Sequence, residues 1–178
     1  MKENILKELT VKNKSNCSLV VGAKGTGKTT FVINRKTVKD VFIIVTPKPL
    51  TKQFGNDIIL SVEDFAKIDN ENFINCKIVF DDCKYYINSN PAEKLTKKII
   101  DLLLLSRHTN NEIYLIYHSL SEVNEKIFNK IDFLFLFRTI TSISDLNLKI
   151  PCFSEIQTAE SKLLEKSLHS YEIIIFDY

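Results

Sequence analysis

The sequence predicts an α/β fold of three layers, in which helices cover both faces of a mostly parallel β-sheet. Two observations predict this class. Apolar runs alternate with helical patterns along the 178 residues, which is typical of strands joined by crossover helices. The apolar runs are also continuous, as in Phe133-Leu-Phe-Leu-Phe137, which indicates strands buried on both faces. The length suits one domain, so a single domain is expected over residues 1–178.

The individual elements follow from the same patterns. Short apolar runs predict strands at 17–21, 41–46, 76–80, 112–117, 132–137 and 171–177. Longer helix-compatible stretches predict helices at 28–38, 91–107, 121–130 and 155–168. Asn90 and Pro91 suit the N-cap and the first position of the second helix, because the N–H that proline lacks is unpaired there in any case.

Composition and charge narrow the class of protein. Apolar residues make up 44% of the chain, but no run approaches the roughly 18 apolar residues of a membrane span. The N-terminus is charged and lacks the apolar region of a secretory signal. The four cysteines form no C-x-x-C pair, and reduced thiols suit them better than a zinc site. We therefore expect an intracellular protein without a membrane span. Its net charge of +2 does not by itself indicate nucleic-acid binding.

A glycine-rich loop carries the strongest functional signal. Three of the four glycines lie in Gly22-Ala23-Lys24-Gly25-Thr26-Gly27-Lys28-Thr29, which matches G-x-x-x-x-G-K-[ST] at every fixed position. Glycines tolerate positive φ and close approach, so backbone N–H groups can converge on phosphate oxygens. A strand before the loop and a helix after it supply the required context, with the helix N-terminus directed at the phosphates. The sequence therefore predicts binding of a nucleoside triphosphate.

Each residue of the loop has an expected role. Lys28 is expected to reach the β- and γ-phosphates, and the Thr29 hydroxyl to bind Mg²⁺. The predicted nucleotide-binding residues are Gly22, Ala23, Lys24, Gly25, Thr26, Gly27, Lys28, Thr29 and Thr30.

Two acidic residues end the strand at 76–80. Asp81 is predicted to hold Mg²⁺ through its water shell, and Asp82 to act as the general base that deprotonates the attacking water. The alternative is that the two acids only end a strand at the solvent edge. A second acid directly after the metal-binding one favours ATP hydrolysis coupled to mechanical work.

Arg107 and His118 are further candidate catalytic residues. Arg107 is one of only three arginines and ends a long helix, from which its guanidinium could reach the γ-phosphate in a neighbouring subunit. The alternative is that Arg107 is only a positive charge near a helix C-terminus, where it interacts favourably with the helix dipole. His118 ends the strand at 112–117 and is a candidate γ-phosphate sensor, or else it caps the next helix. His108 and His169 are interpreted as surface or boundary residues.

One further motif is excluded by its context. Residues 129–132 spell the N-K-x-D with which GTPases recognise guanine. Here the motif ends a predicted helix and precedes a strand, whereas in GTPases it follows a strand. Adenine nucleotides are therefore expected.

The order of these motifs resembles the FtsK/HerA superfamily of DNA-pumping ATPases over about residues 16–140. The small single domain is most similar to the A32-like genome-packaging ATPases of viruses, and it is also similar to the zonula occludens toxin-like assembly ATPases of filamentous phages. The resemblance implies a RecA-like (ASCE) sheet with an extra strand between those of the glycine-rich loop and the paired acids. It also implies that Arg107 acts as an arginine finger in trans. His118 stands where the family more commonly has glutamine.

The resemblance further implies what the protein acts on and with. The expected cofactors are ATP and Mg²⁺, and the expected partner is double-stranded DNA, threaded through a ring of six or five subunits. Capsid-vertex or membrane proteins are expected to anchor the ring, in the host cytoplasm or on the virion. The absence of a membrane span after the domain favours packaging over phage extrusion. A small-molecule phosphotransferase and a regulatory nucleotide-binding module are the alternatives, and scarce arginine disfavours the first because such kinases carry arginine-rich lids.

Overall fold

A central sheet of seven strands organises the protein. The computed structural model describes residues 15–36, 41–47, 57–87, 93–143 and 150–176. The strands are β1 (Cys17–Val21), β2 (Val41–Thr46), β3 (Ile58–Ser61), β4 (Cys76–Phe80), β5 (Glu112–Tyr117), β6 (Phe133–Phe137) and β7 (Tyr171–Ile175). They lie in the order β3-β2-β4-β5-β1-β6-β7, and all neighbours are parallel except β6 and β7. The predicted α/β class with a mostly parallel sheet is confirmed.

Helices pack on both faces of the sheet. They are α1 (Lys28–Ile33), α2 (Val62–Lys67), α3 (Lys94–Thr109), α4 (Glu125–Phe128) and α5 (Phe153–Leu164). Alternate residues of each strand enter opposite cores. Leu19 and Val21 of β1 join the core that includes side chains of α2 to α5, while Val20 joins the core that includes Val32 of α1. Burial on both faces accounts for the continuous apolar runs of the strands.

Six of the seven strands agree with the sequence prediction, with small differences at their ends. The predicted strand at 132–137 begins at Phe133, and β7 ends at Ile175. Strand β3 was not predicted, because it has only four residues and follows no clear periodicity. Helix α2 was also missed, although its signal is present: the Ser61 hydroxyl accepts a hydrogen bond from the Asp64 N–H at 3.0 Å, as an N-cap does.

The predicted helices differ more from the structure. The helix predicted at 121–130 is wrong in part, because Ser119 and Asn124 each cap a new start and divide it into a 3₁₀ turn and the four-residue α4. The helix predicted at 28–38 ends at Ile33 and tightens into i→i−3 hydrogen bonds. Helix α3 extends to Thr109, and the predicted start at Asn90 and Pro91 lies outside the described residues. Helix α5 occupies 153–164 instead of 155–168.

The structure also bears on the expected state of the cysteines and on the search for a membrane span. All four cysteines are free thiols, and Cys17, Cys76 and Cys83 are buried. Within the described ranges, no group of three or more His, Cys, Asp or Glu side chains could hold a metal ion. Over the same ranges, no helix combines the length and the apolar character needed to cross a membrane.

Arg138 fixes the end of α5 to the rest of the domain. Its Nη2 donates to the carbonyl oxygens of Leu163, Leu164 and Lys166 at 3.2, 2.9 and 2.8 Å. The last carbonyls of a helix have no partner within the helix, so a guanidinium there satisfies them. The Arg138 carbonyl also accepts from the Ala23 N–H at 2.8 Å. This residue therefore joins the glycine-rich loop to the turn after α5.

Replacing Arg138 by methionine is expected to destabilise the domain. The variant keeps the apolar stem but removes the donor of these three hydrogen bonds, which should cost about 2 kcal/mol in the free energy of unfolding. Urea unfolding followed by circular dichroism measures this change. Lys97→Met, at an exposed position of α3, removes the same charge elsewhere and should change stability by less than about 0.5 kcal/mol. Equal effects of the two substitutions would contradict this role.

Candidate active site

The predicted functional residues of three strands meet at one edge of the sheet. Strand β5 lies between β1 and β4, as the extra strand of a RecA-like sheet does. All three strands are parallel, so the glycine-rich loop after β1, the acids after β4 and His118 after β5 emerge at the same carboxyl edge. In open α/β sheets, this edge is where ligands bind.

The loop after β1 has the backbone that its glycines predict. Gly25 and Gly27 take φ of 84° and 89°, in the left-handed region that glycine enters without strain. Gly22 is needed for space, because a Cβ there would lie 2.5 Å from the Phe137 Cβ. The Thr26 hydroxyl closes the loop by donating to the Ala23 carbonyl at 2.9 Å. The glycines and Thr26 therefore account for the conformation of this loop.

Lys28 is buried beneath this loop. Lys28 is the first residue of α1, and it is only 6% exposed. The ammonium donates to the Gly22 and Ala23 carbonyls at 2.6 and 2.8 Å and lies 3.3 Å from His118 Nδ1. Burial lowers the pKa of Lys28 to about 8, although the carboxylates of Asp81 and Asp82 favour its charged form. The loop thus holds a cation where phosphates are expected.

Thr29 and Asp81 form a pair of oxygen donors. The Thr29 hydroxyl lies 3.4 Å from Asp81 Oδ1, and the Tyr86 hydroxyl donates to the Asp81 carbonyl at 2.9 Å. Burial raises the pKa of the Asp81 carboxyl, and the adjacent Asp82 raises it further. A divalent cation would offset both effects. A hydroxyl and a carboxylate beside a phosphate loop are the donors that Mg²⁺ accepts, with phosphate oxygens and water completing its shell.

Asp82 and His118 form a hydrogen-bonded pair. Asp82 takes a left-handed φ of 51°, which aspartate tolerates better than most residues, and begins a 3₁₀ turn. Its Oδ1 lies 2.8 Å from His118 Nε2. The backbone of His118 is anchored separately, because Glu122 Oε2 accepts from the N–H groups of His118 and Ser119, each at 3.3 Å. His118 thus follows β5 at the carboxyl edge of the sheet, and Ser119, not His118, caps the turn that comes next.

These residues line one open pocket of about 490 Å³. Its walls include the predicted residues Lys24, Gly25, Gly27, Lys28, Thr29, Thr30, Asp81, Asp82 and His118. The pocket also includes Tyr85 and His169, which sequence reasoning did not assign to the site. His169 was interpreted as a surface or boundary residue, yet its Nδ1 would lie 3.4 Å from a Cβ placed on Gly27. No local motif marks this histidine, because the turn after α5 brings it to the loop.

Arg107 lies away from this pocket. It is at the end of α3, where its side chain is 77% exposed and its Nη2 lies 3.1 Å from Asp132 Oδ1. Asp132 also accepts from the N–H of Cys17, the first residue of β1. The glycine-rich loop follows the other end of this five-residue strand, roughly 13 Å further along. Arg107 therefore lies at the amino edge of the sheet and cannot serve the site of its own subunit.

The sheet order and the loop geometry define the fold of a P-loop NTPase. Among solved structures, the chain is similar to B204, the DNA-packaging ATPase from Sulfolobus turreted icosahedral virus, with a TM-score of 0.69, 16% identity, and coverage of 92% of this chain and 93% of that one. It is also similar to the packaging NTPase B204 of Sulfolobus turreted icosahedral virus 2 in complex with AMP (TM-score 0.67, 14% identity, 92% and 93% coverage). The N-terminal domain of zonular occludens toxin from Neisseria meningitidis is a third similar structure (TM-score 0.52, 13% identity, 92% and 94% coverage).

These likenesses confirm, at the level of the fold, the resemblance drawn from the sequence. No family model and no curated protein matches the chain.

The buried ammonium predicts a pH dependence of nucleotide binding. Phosphate oxygens favour charged Lys28, so its pKa is higher in the complex than the value of about 8 in the free protein. Below pH 8, Lys28 is charged in the free protein, and its contribution to the affinity for a nucleoside triphosphate should be fully present. Above pH 8, binding must take up a proton, so the affinity should fall by up to roughly tenfold per pH unit.

Calorimetry at pH 9 in buffers of different ionisation enthalpy measures this uptake. Lys28→Arg is the control, because a guanidinium stays charged at that pH and should take up no proton on binding. Equal proton uptake by the wild type and the control would contradict the assignment to Lys28.

Proposed function

We propose that this protein is an ATPase that assembles into a ring and drives double-stranded DNA into a viral capsid in the host cytoplasm. One observation supports the hydrolytic part most directly: Lys28, Thr29, Asp81, Asp82 and His118 meet in one pocket. Phosphate binding, metal binding and water activation each have a residue of suitable chemistry there. The likeness of the fold to the B204 packaging ATPase supports the part that concerns DNA.

The residues of the pocket suit hydrolysis of the γ-phosphate. Asp82 accepts a proton from water as the water oxygen bonds to the γ-phosphorus and the bond to the β–γ bridging oxygen breaks. Lys28 compensates the charge that develops on the phosphate oxygens. Thr29 and Asp81 would hold a Mg²⁺ ion, which would supply positive charge to offset that of the phosphates.

The distribution of arginines supports a reaction completed by a second subunit. Arg35 stacks on the rings of Phe31 and Phe135, with distances of 4.7 and 4.9 Å to the ring centres, and Arg138 caps α5. Arg107 lies at the opposite edge of the sheet. The pocket residues include no arginine, so an arginine that stabilises the transition state must come from another molecule. In a ring, Arg107 of one subunit is suited to this role.

The same distribution disfavours a small-molecule phosphotransferase. Such an enzyme needs cationic side chains that close over the second substrate and exclude water. Each of the three arginines is instead held in the fold or at the far edge. Phage extrusion is the second candidate, and the likeness to the zonular occludens toxin domain favours it.

The proposal is tested by ATP hydrolysis with and without long double-stranded DNA. We expect DNA to stimulate the wild type and Arg107→Ala to lose activity on the order of 10³-fold. Lys28→Ala should be inactive because its own pocket lacks the phosphate-binding cation. A mixture of the two variants should regain activity, since Lys28→Ala subunits still supply Arg107 to intact pockets.

Lys130→Ala is the matched control for Arg107→Ala. Lys130 is exposed near the same amino edge, and its removal should leave the rate unchanged. A rate that is indifferent to DNA and to protein concentration, with Arg107→Ala as active as the wild type, would contradict the proposed motor.

A further inference from the structure

His118 connects the phosphate-binding lysine to the proposed base. Its Nδ1 lies 3.3 Å from Lys28 Nζ, and its Nε2 lies 2.8 Å from Asp82 Oδ1. The order of the sheet makes this contact possible, because β5 lies between the strands that carry the other two residues. We call these two hydrogen bonds, from Lys28 through His118 to Asp82, the His118 bridge.

The direction of both hydrogen bonds follows from the chemistry of lysine. An ammonium group has three N–H donors and no acceptor, so Nδ1 of His118 must accept. A neutral imidazole that accepts at one nitrogen carries its proton on the other. Nε2 therefore donates to Asp82 Oδ1. Lys28 in this way selects the tautomer through which His118 engages the base.

The three acceptors around Lys28 leave none of its donors for a phosphate. The Gly22 and Ala23 carbonyls and His118 Nδ1 are its partners within the described residues. A triphosphate must therefore draw the ammonium away from some of them, and His118 Nδ1 is its longest and weakest contact. The backbone of His118 stays fixed by Glu122, so only the imidazole ring is released.

We propose that the His118 bridge holds Asp82 in the nucleotide-free protein and that triphosphate binding breaks it at Lys28. The imidazole ring is then free to turn and to release the Asp82 carboxylate, which activates water. This inference rests on the proposed hydrolytic function. His118 is then a positioning residue that acts through Asp82. The bridge couples occupancy of the phosphate site to availability of the base, so that the base is engaged until a triphosphate is present.

Nitrogen-15 NMR of the imidazole rings tests the bridge. The chain has three histidines, and His118→Gln identifies the signal of His118 by its loss. We expect the free wild type to show a proton on Nε2 and none on Nδ1. Addition of magnesium and a non-hydrolysable ATP analogue should shift the Nδ1 resonance away from its acceptor position. Lys28→Met, which removes the donor without nucleotide, should shift it as well.

The other two histidines separate the possible outcomes. His169 lines the pocket and reports that the nucleotide has bound, whereas His108 is exposed on α3 and should not respond. Two results would overturn the bridge. The first is a response of His169 to the nucleotide without any change at His118. The second is a His118 signal in Lys28→Met that is identical to that of the wild type. Absence of binding by calorimetry would instead contradict the proposed function on which the bridge rests.

Discussion

The site depends on the cost of burying the ammonium group of Lys28. A charge removed from water must be met by acceptors, and here two loop carbonyls and an imidazole nitrogen provide them. The left-handed glycines allow the loop to turn these carbonyls inward, so the backbone of the loop and the position of the cation determine each other. Phosphate oxygens are better partners for an ammonium than neutral carbonyls, because the hydrogen bond then joins two charged groups. Phosphate oxygens would therefore compete effectively with these carbonyls for Lys28.

The order and direction of the strands place different functional side chains at the two edges of the sheet. The carboxyl edge carries the Lys28 ammonium, the oxygens of Thr29 and Asp81, and the Asp82 carboxylate. The amino edge carries the exposed Arg107, which is paired with Asp132. The residues that line the pocket at the carboxyl edge include no arginine. Head-to-tail contact of identical subunits would bring the two edges together, and closure of such contacts gives a ring.

Most of the fold and site could be predicted because the signals are local. The glycine-rich loop, the acids after β4 and His118 after β5 each follow an apolar run, and parallel strands place them at one edge. What could not be predicted depends on contacts distant in sequence. His169 reaches the loop through the turn after α5, and Arg138 holds that turn to the loop. The contact of His118 with both Lys28 and Asp82 also required the strand order, which the resemblance implied but the residue pattern alone does not give. Strand β3 has only four residues, too few for a clear periodic pattern. Helix α2 has a local signal, the Ser61 N-cap, from which it could have been predicted.

The most direct measurement of the central claim is single-turnover hydrolysis of ATP by wild type and Asp82→Asn, with ATP binding measured on the same samples. The substitution keeps the size of the side chain and removes its ability to accept a proton from water. We expect the variant to bind ATP within a fewfold of the wild type and to hydrolyse it more slowly by on the order of 10² to 10⁴-fold. Equal hydrolysis by two proteins that both bind ATP would contradict the role of Asp82 as the base.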